Sequence, residues 1–179
     1  DVKKLFKKGP DMIELPVSGS KEEKLNFVKQ KIDKNEKISI TEVFKDGLID
    51  VHGVTKGKGL QGPVKRFGIS LKSHKSEKGV RRPGNLGPWH PARVTFRVAI
   101  SGQMGFFTRV VNNLQILKIG KEDINRSGGF HKYGNVQGDY ILIRGSVPGV
   151  PKRPLLLTPT TRPTRKQIKK KFEILDIRE

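Results

Sequence analysis

The run Gly57-Lys58-Gly59-Leu60-Gln61-Gly62 has the residue types and spacing of a phosphate-binding turn. Glycines let a backbone bend sharply and bring its amides close to an oxyanion, and lysine adds a positive charge. The run follows a predicted strand and matches a G-x-G-x-x-G dinucleotide fingerprint, but Pro63 stands where the binding helix should open. The overlapping run Gly53 to Lys58 is one residue short of a P-loop, and Gly59 stands where a Ser or Thr would hold magnesium. Neither nucleotide-binding motif is complete. What remains is their shared physics, amides and lysines offered to phosphate, here the backbone of RNA.

Other chemistry is absent from the sequence pattern. His52, His74, His90 and His131 have no metal-ligand spacing and no cysteine to join them, so they are read as hydrogen-bonding or phosphate-contacting residues. No paired carboxylates and no Ser/His/Asp arrangement suggest acid–base or nucleophilic catalysis. The chain is therefore expected to be no enzyme and to use neither metal nor cofactor.

Charge is the strongest signal. Between residues 51 and 121 there are fourteen Lys and Arg against one acid, Glu77, whereas residues 1–50 carry eleven bases and ten acids. Lys and Arg neutralise phosphates and release their counterions. The candidate RNA contacts in this part are Lys56, Lys58, Lys65, Arg66, Lys72, His74, Lys75, Lys78, Arg81, Arg82, His90, Arg93, Arg97 and Arg109. Lys152 and Arg153, with Arg165 and Lys166 in a second basic cluster, extend the set. Trp89, the single Trp, sits between Pro88 and His90-Pro91 in the least core-like part of the chain, where its ring is expected to meet a base or ribose.

The whole composition agrees. A chain of 179 residues with net charge +20, pI about 10.4 and only 34% apolar residues has a small core and needs an acidic partner. No apolar run approaches the length of a membrane span, which puts nucleic acid ahead of a membrane surface. No signal peptide is visible, and the lack of cysteine excludes disulfide frameworks. A nucleoid or RNA-chaperone module is the competing class, and an RNA-modifying enzyme would need a cofactor pocket that the sequence does not offer.

The elements that must carry these residues read as mostly β. Residues 3–8 are a basic lead-in, and Met12, Ile13, Leu15 and Val17 suit a short strand broken at Pro16. Ser20-Lys21-Glu22-Glu23 is a capping box that opens a helix, with Leu25, Val28 and Ile32 in an apolar stripe. Ile38 and Ile40 alternate with polar residues, and Val43 and Phe44 lead through Asp46-Gly47 to 48–51, which predicts a hairpin. Residues 53–93 lack apolar periodicity and predict a structureless loop that orders on a polyanion. Val94, Phe96 and Val98 alternate with Arg93, Thr95 and Arg97, predicting a strand with one cationic face. Residues 106–111 and 114–119 flank Asn112-Asn113 as a second hairpin, and Tyr140-Ile141-Leu142-Ile143 is a buried strand ending at Gly145. Five prolines between 148 and 163 predict an extended strap without sheet partners on its proline side, and Phe172-Glu173-Ile174 opens a last strand.

The segments GVTKGKGLQGPVKRFG, GNLGPWHPARV, SGQMG and LKIG, continued by GDYILIRGSVPG and VPKRP, resemble the archaeal and eukaryotic form of the ribosomal large-subunit protein three family. The likeness covers most of the chain from about Ile38 onward. It implies a translation-protein-like β-barrel at 38–179, with an RNA-penetrating extension at 53–93 and an extended C-terminal segment at 148–171. Residues 1–37 resemble the end of an α/β insertion. The family's N-terminal part, which supplies further barrel strands, is not in this sequence, so an incomplete barrel is expected. The resemblance also implies a structural role in the large subunit, in the cytoplasm: contact with large-subunit rRNA and neighbouring ribosomal proteins, and an extension toward the peptidyl transferase centre that supports assembly and tRNA accommodation. No membrane and no small-molecule substrate belong to that role. Trp89 matches the residue at the tip of the extension, and His74 the loop histidine that some members methylate. Phe67 stands where relatives commonly have Trp.

Overall fold

In the sequence Leu48-Ile49-Asp50-Val51-His52-Gly53-Val54, β-branched residues alternate about a carboxylate, and this segment becomes the central strand of the protein. The computed structural model describes residues 8–121, 124–170 and 172–174. They divide into two units, residues 1–53 with 110–179, and residues 54–109.

The first unit begins with helix α1 (Lys21–Asp33), started by the predicted capping box: the Ser20 amide donates to Glu23 Oε2 at 2.8 Å and the Glu23 amide to Ser20 Oγ at 3.3 Å. Its apolar stripe is in place but uncovered, with Leu25, Val28 and Ile32 all exposed. Residues 12–17, predicted as a short strand broken at Pro16, have no regular structure. Met12, Ile13 and Leu15 are exposed there, and alternation without a partner strand cannot satisfy the backbone.

The expected first hairpin is also absent. Ser39-Ile40-Thr41-Glu42 begins a short helix α2 (Ile40–Val43), because local hydrogen bonding outweighs the period-two pattern. The Ser39 amide donates to Glu42 Oε1 at 3.4 Å while the Ser39 hydroxyl donates to Asp139 Oδ2 at 2.6 Å. That hydroxyl, with Lys121 Nζ 4.0 Å away, holds the Asp139 carboxyl below its ordinary range despite some desolvation.

Strand β1 (Leu48–Val54) lies inside a four-stranded sheet, between β4 (Thr108–Gly120), itself flanked by β5 (Tyr140–Ile143), and β6 (Leu156–Pro159), in the order β5-β4-β1-β6. Ile49, Val51 and Ile116 are buried together, with Phe44, Leu114, Ile141 and Leu157 packed around them. Burying each such side chain contributes about 1.5–3 kcal/mol, so this small cluster is the main apolar stabilisation of the unit. Strand β5 forms at 140–143 as predicted, but half-buried at the sheet edge instead of buried, and pairs antiparallel with β4, Ile116 opposite Ile143, with an irregularity between Ile116 and Lys118.

One further expectation is corrected here and one is refined. Asn112-Asn113 does not turn the chain: β4 is a single strand that runs through both residues. Asn113 does adopt the left-handed backbone, φ 60°, that suggested a turn, but its amide is taken by Asp50 Oδ1 at 2.9 Å, so the kink stays within the strand. The proline-rich strap runs extended and has no sheet partner on its proline side, as expected, but its other side joins the sheet through the proline-free window 155–158, which can donate amides. Strand β6 pairs antiparallel with β1, Val51 opposite Leu157 and Ile49 opposite Pro159. A basic helix α4 (Arg165–Ile168) follows, and residues 172–174 carry no strand. The basic lead-in falls mostly outside the described residues.

The fold is mostly β, but the described strands do not close into a barrel. The sheet is open, with β5 and β6 as its edges, and too few strands are present to close one.

Asp50 is buried within this sheet, and its surroundings set its charge. Burial alone would push its pKa up, but the Asn113 amide, the Thr160 hydroxyl at 2.8 Å and the Thr161 amide outweigh that and hold it below the ordinary carboxylate value. A carboxylate whose folded pKa is lowered stabilises the fold above its unfolded pKa, and that stabilisation is lost as pH falls through the folded value. Replacing Asp50 by Ala orphans a buried amide, and an expected loss of about 1–3 kcal/mol follows. Urea unfolding at pH 7 measures that loss, and the difference between wild type and Asp50→Ala should shrink as pH is lowered below about 4.

Candidate nucleic-acid interface

The second unit, residues 54–109, holds twelve Lys and Arg and a single acid, Glu77. Like charges at this density repel, so something other than ion pairing has to shape the segment. That role falls to a two-stranded antiparallel ribbon, β2 (Gly59–Gln61) with β3 (Gly102–Met104), and to a short helix α3 (Pro63–Phe67). The predicted structureless loop is thus folded at its start.

The ribbon closes because Gly105 has no side chain. It is buried at φ 73°, and a Cβ there would run into the Lys56 carbonyl, so only glycine admits the crossing. The Lys58 amide donates to the Met104 carbonyl at 2.9 Å and the Thr55 amide to the Phe107 carbonyl at 2.9 Å. Lys56 and Lys58 are thereby fixed by their backbone while their side chains stay exposed.

Pro63 does not block a helix, contrary to expectation: it opens α3, where a missing amide costs nothing because first-turn amides are unpaired in any helix. Glu77, twenty residues beyond Gly57, also occupies the acidic position of the fingerprint. The dinucleotide reading nevertheless fails on geometry. The helix has five residues, and β2 pairs antiparallel with β3 instead of entering a parallel βαβ unit.

Arg66 differs from the other candidates in residues 54–109 in being half-buried. It donates from Nε to the Gln103 carbonyl at 3.1 Å and from an Nη to the Ile100 carbonyl at 2.9 Å, and lies over Gly102, where any Cβ would strike its guanidinium. Its charge also sits 5.0 Å from the centre of the Phe67 ring. Arg66 therefore positions the ribbon against α3.

Lys65, Lys72, His74, Lys75, Lys78, Arg81, Arg82, His90 and Arg93 are all exposed. The Lys72 amide donates to the Val80 carbonyl at 3.0 Å and gathers residues 72–80 into one loop that carries Lys75 and Lys78. The ion pairs seen among the described residues join Lys31 to Glu36 and Glu42, and Lys121 to Asp139, outside this unit. Trp89 is 88% exposed, so its ring does not fold back onto the protein.

Residues 93–98 form no strand; Phe96 is 89% exposed, with Arg97 above its ring at 5.9 Å. Arg109 likewise lies 5.0 Å from the Phe107 ring. Phe96 and Phe107 were missed from the sequence. Their signal was an aromatic residue within two positions of an arginine, outside any core pattern, and alternation masked it at Phe96. Lys152, Arg153, Arg165 and Lys166 belong to the first unit, where Lys152 is half-buried and the other three are exposed. Among the described residues no group of His, Asp or Glu could hold a metal, and no helix is long and apolar enough to cross a membrane.

Exposed cations interleaved with exposed aromatic rings, on a backbone pinned by glycine and Arg66, have the chemistry of a polyanion-binding protein. The chain belongs to the ribosomal protein L3 family, whose model, described as Ribosomal protein L3, matches residues 1–177. It is 46% identical over 166 residues to the large ribosomal subunit protein uL3 of Nanoarchaeum equitans, covering 92% of this chain and 51% of that protein. Against the protein of the same name from Archaeoglobus fulgidus it is 46% identical over 165 residues, 89% of this chain and 49% of the relative. For Methanocaldococcus jannaschii the figures are 43% over 171 residues, 92% and 50%. The chain thus spans about half the length of the curated relatives it matches.

Exposed and without an ion pair among the described residues, Arg81 and Arg82 are expected to contribute to the salt dependence of RNA affinity. Each phosphate neutralised adds about 0.7–0.9 to the slope of log K against log salt. Replacing both by Ala should lower the slope by about 1.5, measured by fluorescence anisotropy on a ribosomal RNA fragment between low and moderate salt. An unchanged slope would show that the pair faces solvent.

Proposed function

We propose that this chain is a structural constituent of the large ribosomal subunit, in the cytoplasm, that binds large-subunit rRNA through residues 54–109 and carries no catalytic residues of its own. The observation that carries the reading is the exposed, acid-poor surface of that unit in a chain of the L3 family. The name printed for the archaeal relatives, large ribosomal subunit protein, supports the same assignment. Neighbouring ribosomal proteins complete the set of partners, and the exposed apolar stripe of α1 is a surface they could cover.

Two finer parts of the proposal concern the extension. The cations fix the chain on RNA through many separate phosphate contacts, which supports assembly. Trp89 projects from between two prolines toward the peptidyl transferase centre and supports tRNA accommodation there. The contribution of one aromatic ring on a base is about 1–3 kcal/mol, too little to hold the protein in the subunit but enough to bias a local RNA conformation.

The test of the overall reading is sedimentation. The chain should co-migrate with large subunits through a high-salt wash, whereas a nucleoid or chaperone module would redistribute to bulk duplexes and leave the subunit peak.

The finer parts separate in a paired measurement. Trp89→Ala should leave incorporation into subunits nearly intact and slow peptide-bond formation or alter sensitivity to peptidyl-transferase inhibitors. Replacing Lys65, Arg81 and Arg82 together by Ala should lower incorporation first. Arg66 is left intact in that variant because its guanidinium shapes the ribbon. If Trp89→Ala abolishes incorporation while assembled particles translate normally, the ring is a folding anchor and the tip assignment is wrong.

A further inference from the structure

Within residues 54–109 one recess stands apart from the surrounding cationic surface. It is open, has a volume of about 480 Å³, and is built from three stretches, 69–72, 82–87 and 98–99. Its floor is apolar: Ile69, Pro83, Val98 and Ala99 line it and each is half-buried. Lys72 and Arg82 stand at its edge with exposed side chains. The loop that forms one wall is fixed by its own hydrogen bond, the Gly87 amide donating to Asn85 Oδ1 at 2.9 Å. That contact leaves the Asn85 side-chain amide as a donor available within the recess wall.

A ligand suited to this recess has a flat or apolar body and an anionic end. A phosphate alone would not use the apolar floor, and an apolar side chain would not use Lys72 and Arg82. A nucleotide uses both: its base has two π-faces and polar edges, and its phosphate pairs with cations. The volume lies within the roughly 300–1,000 Å³ of small-ligand sites, so a single nucleotide fits.

We infer that the recess takes one extruded nucleotide of RNA, its base on the floor formed by Ile69, Pro83, Val98 and Ala99 and its phosphate at Lys72 and Arg82. The inference rests on the RNA-binding reading above and deepens it: the extension would select an unpaired nucleotide as well as track a backbone. An unpaired base is the form of RNA that such a pocket can accept, because the deep, narrow major groove of paired RNA keeps base edges from side chains.

The experiment compares three hairpins by fluorescence anisotropy: one with a single unpaired nucleotide in its stem, one fully paired, and one with an abasic residue at the unpaired position. The chain should bind the first about tenfold more tightly than the second, and the abasic hairpin should fall back to the paired value. Ala99→Phe, which fills the recess and leaves both cations in place, should remove the preference while binding the paired hairpin as before. Equal affinity for bulged and paired hairpins, or a preference that persists with the abasic residue, overturns the inference and leaves the broader RNA-binding reading standing. The abasic comparison uses the unaltered chain, so it does not depend on how the variant folds. Binding to none of the hairpins would overturn both readings. Free adenosine monophosphate should not displace the bulged hairpin. Displacement at millimolar nucleotide would assign the recess to free nucleotides and overturn the extruded-nucleotide assignment.

Discussion

The hydrogen bond from the Asn113 amide to the Asp50 carboxylate decides the course of the first unit. A residue in the left-handed conformation usually ends a strand or turns it, and here the carboxylate of a neighbouring strand receives the amide that the ladder loses. Strand β4 can therefore continue for thirteen residues through its kink. The other Asn113 group has a partner as well, since its side-chain oxygen accepts from the Thr164 amide at 3.0 Å. Thr160 and Thr164, on the segment after β6, thus converge with β1 on the kink in β4, and the proline-rich strap is bound by side chains where its prolines forbid a ladder. A carboxylate is suited to this position because it accepts several hydrogen bonds at once and donates none.

The second unit solves a different problem. Twelve cations with one acid cannot be neutralised internally, so order has to come from contacts that do not depend on charge pairing. Gly105 permits a backbone crossing that any side chain would prevent, and Arg66 turns one of the cations inward to bind carbonyl groups. Spending one arginine this way leaves the rest facing solvent. The aromatic rings follow the same logic. Phe67, Phe96 and Phe107 each have an arginine about 5–6 Å from the ring centre, which keeps the cation near the surface while its partner ring remains a stacking face.

Elements governed by neighbours in sequence were legible, and those governed by distant partners were not. Ser20 and Glu23 carry their own hydrogen bonds, so α1 followed from four residues. Tyr140 to Ile143 is an apolar run too short for a helix and formed a strand as read, half-buried because it lies at the sheet edge. At 38–44 the apolar alternation and the Ser39 to Glu42 spacing pointed to different structures, and the local hydrogen bond won. Asn112-Asn113 carried true conformational information, but whether a left-handed residue makes a hairpin or a kink depends on Asp50, sixty-three positions away. The strap was read correctly as extended and open on its proline side, but proline density hid the pairing of the window 155–158, whose partner is likewise remote. Within residues 54–109, charge alone marked the cations, and all of them but Arg66 are exposed. Charge could not single out Arg66, whose carbonyl partners lie more than thirty residues on.

The division between cations and rings has a physical consequence for how such a surface would work on RNA. Phosphate contacts are numerous, interchangeable and weakened by salt, so they supply affinity without choosing a position along the backbone. Rings and apolar recesses act on bases, are few, and tolerate salt, so they fix register once the chain is held nearby. Placing both on one unit orders them in time, because the long-range attraction operates before any base is in reach. Trp89 and Phe96 are almost fully exposed, so on such a surface both rings would be accessible to a base once the cations around them had drawn RNA near. A ring packed into the protein's own core would contribute more to folding and nothing to this second step. Their exposure suits a binding surface whose affinity and register would be carried by different residues.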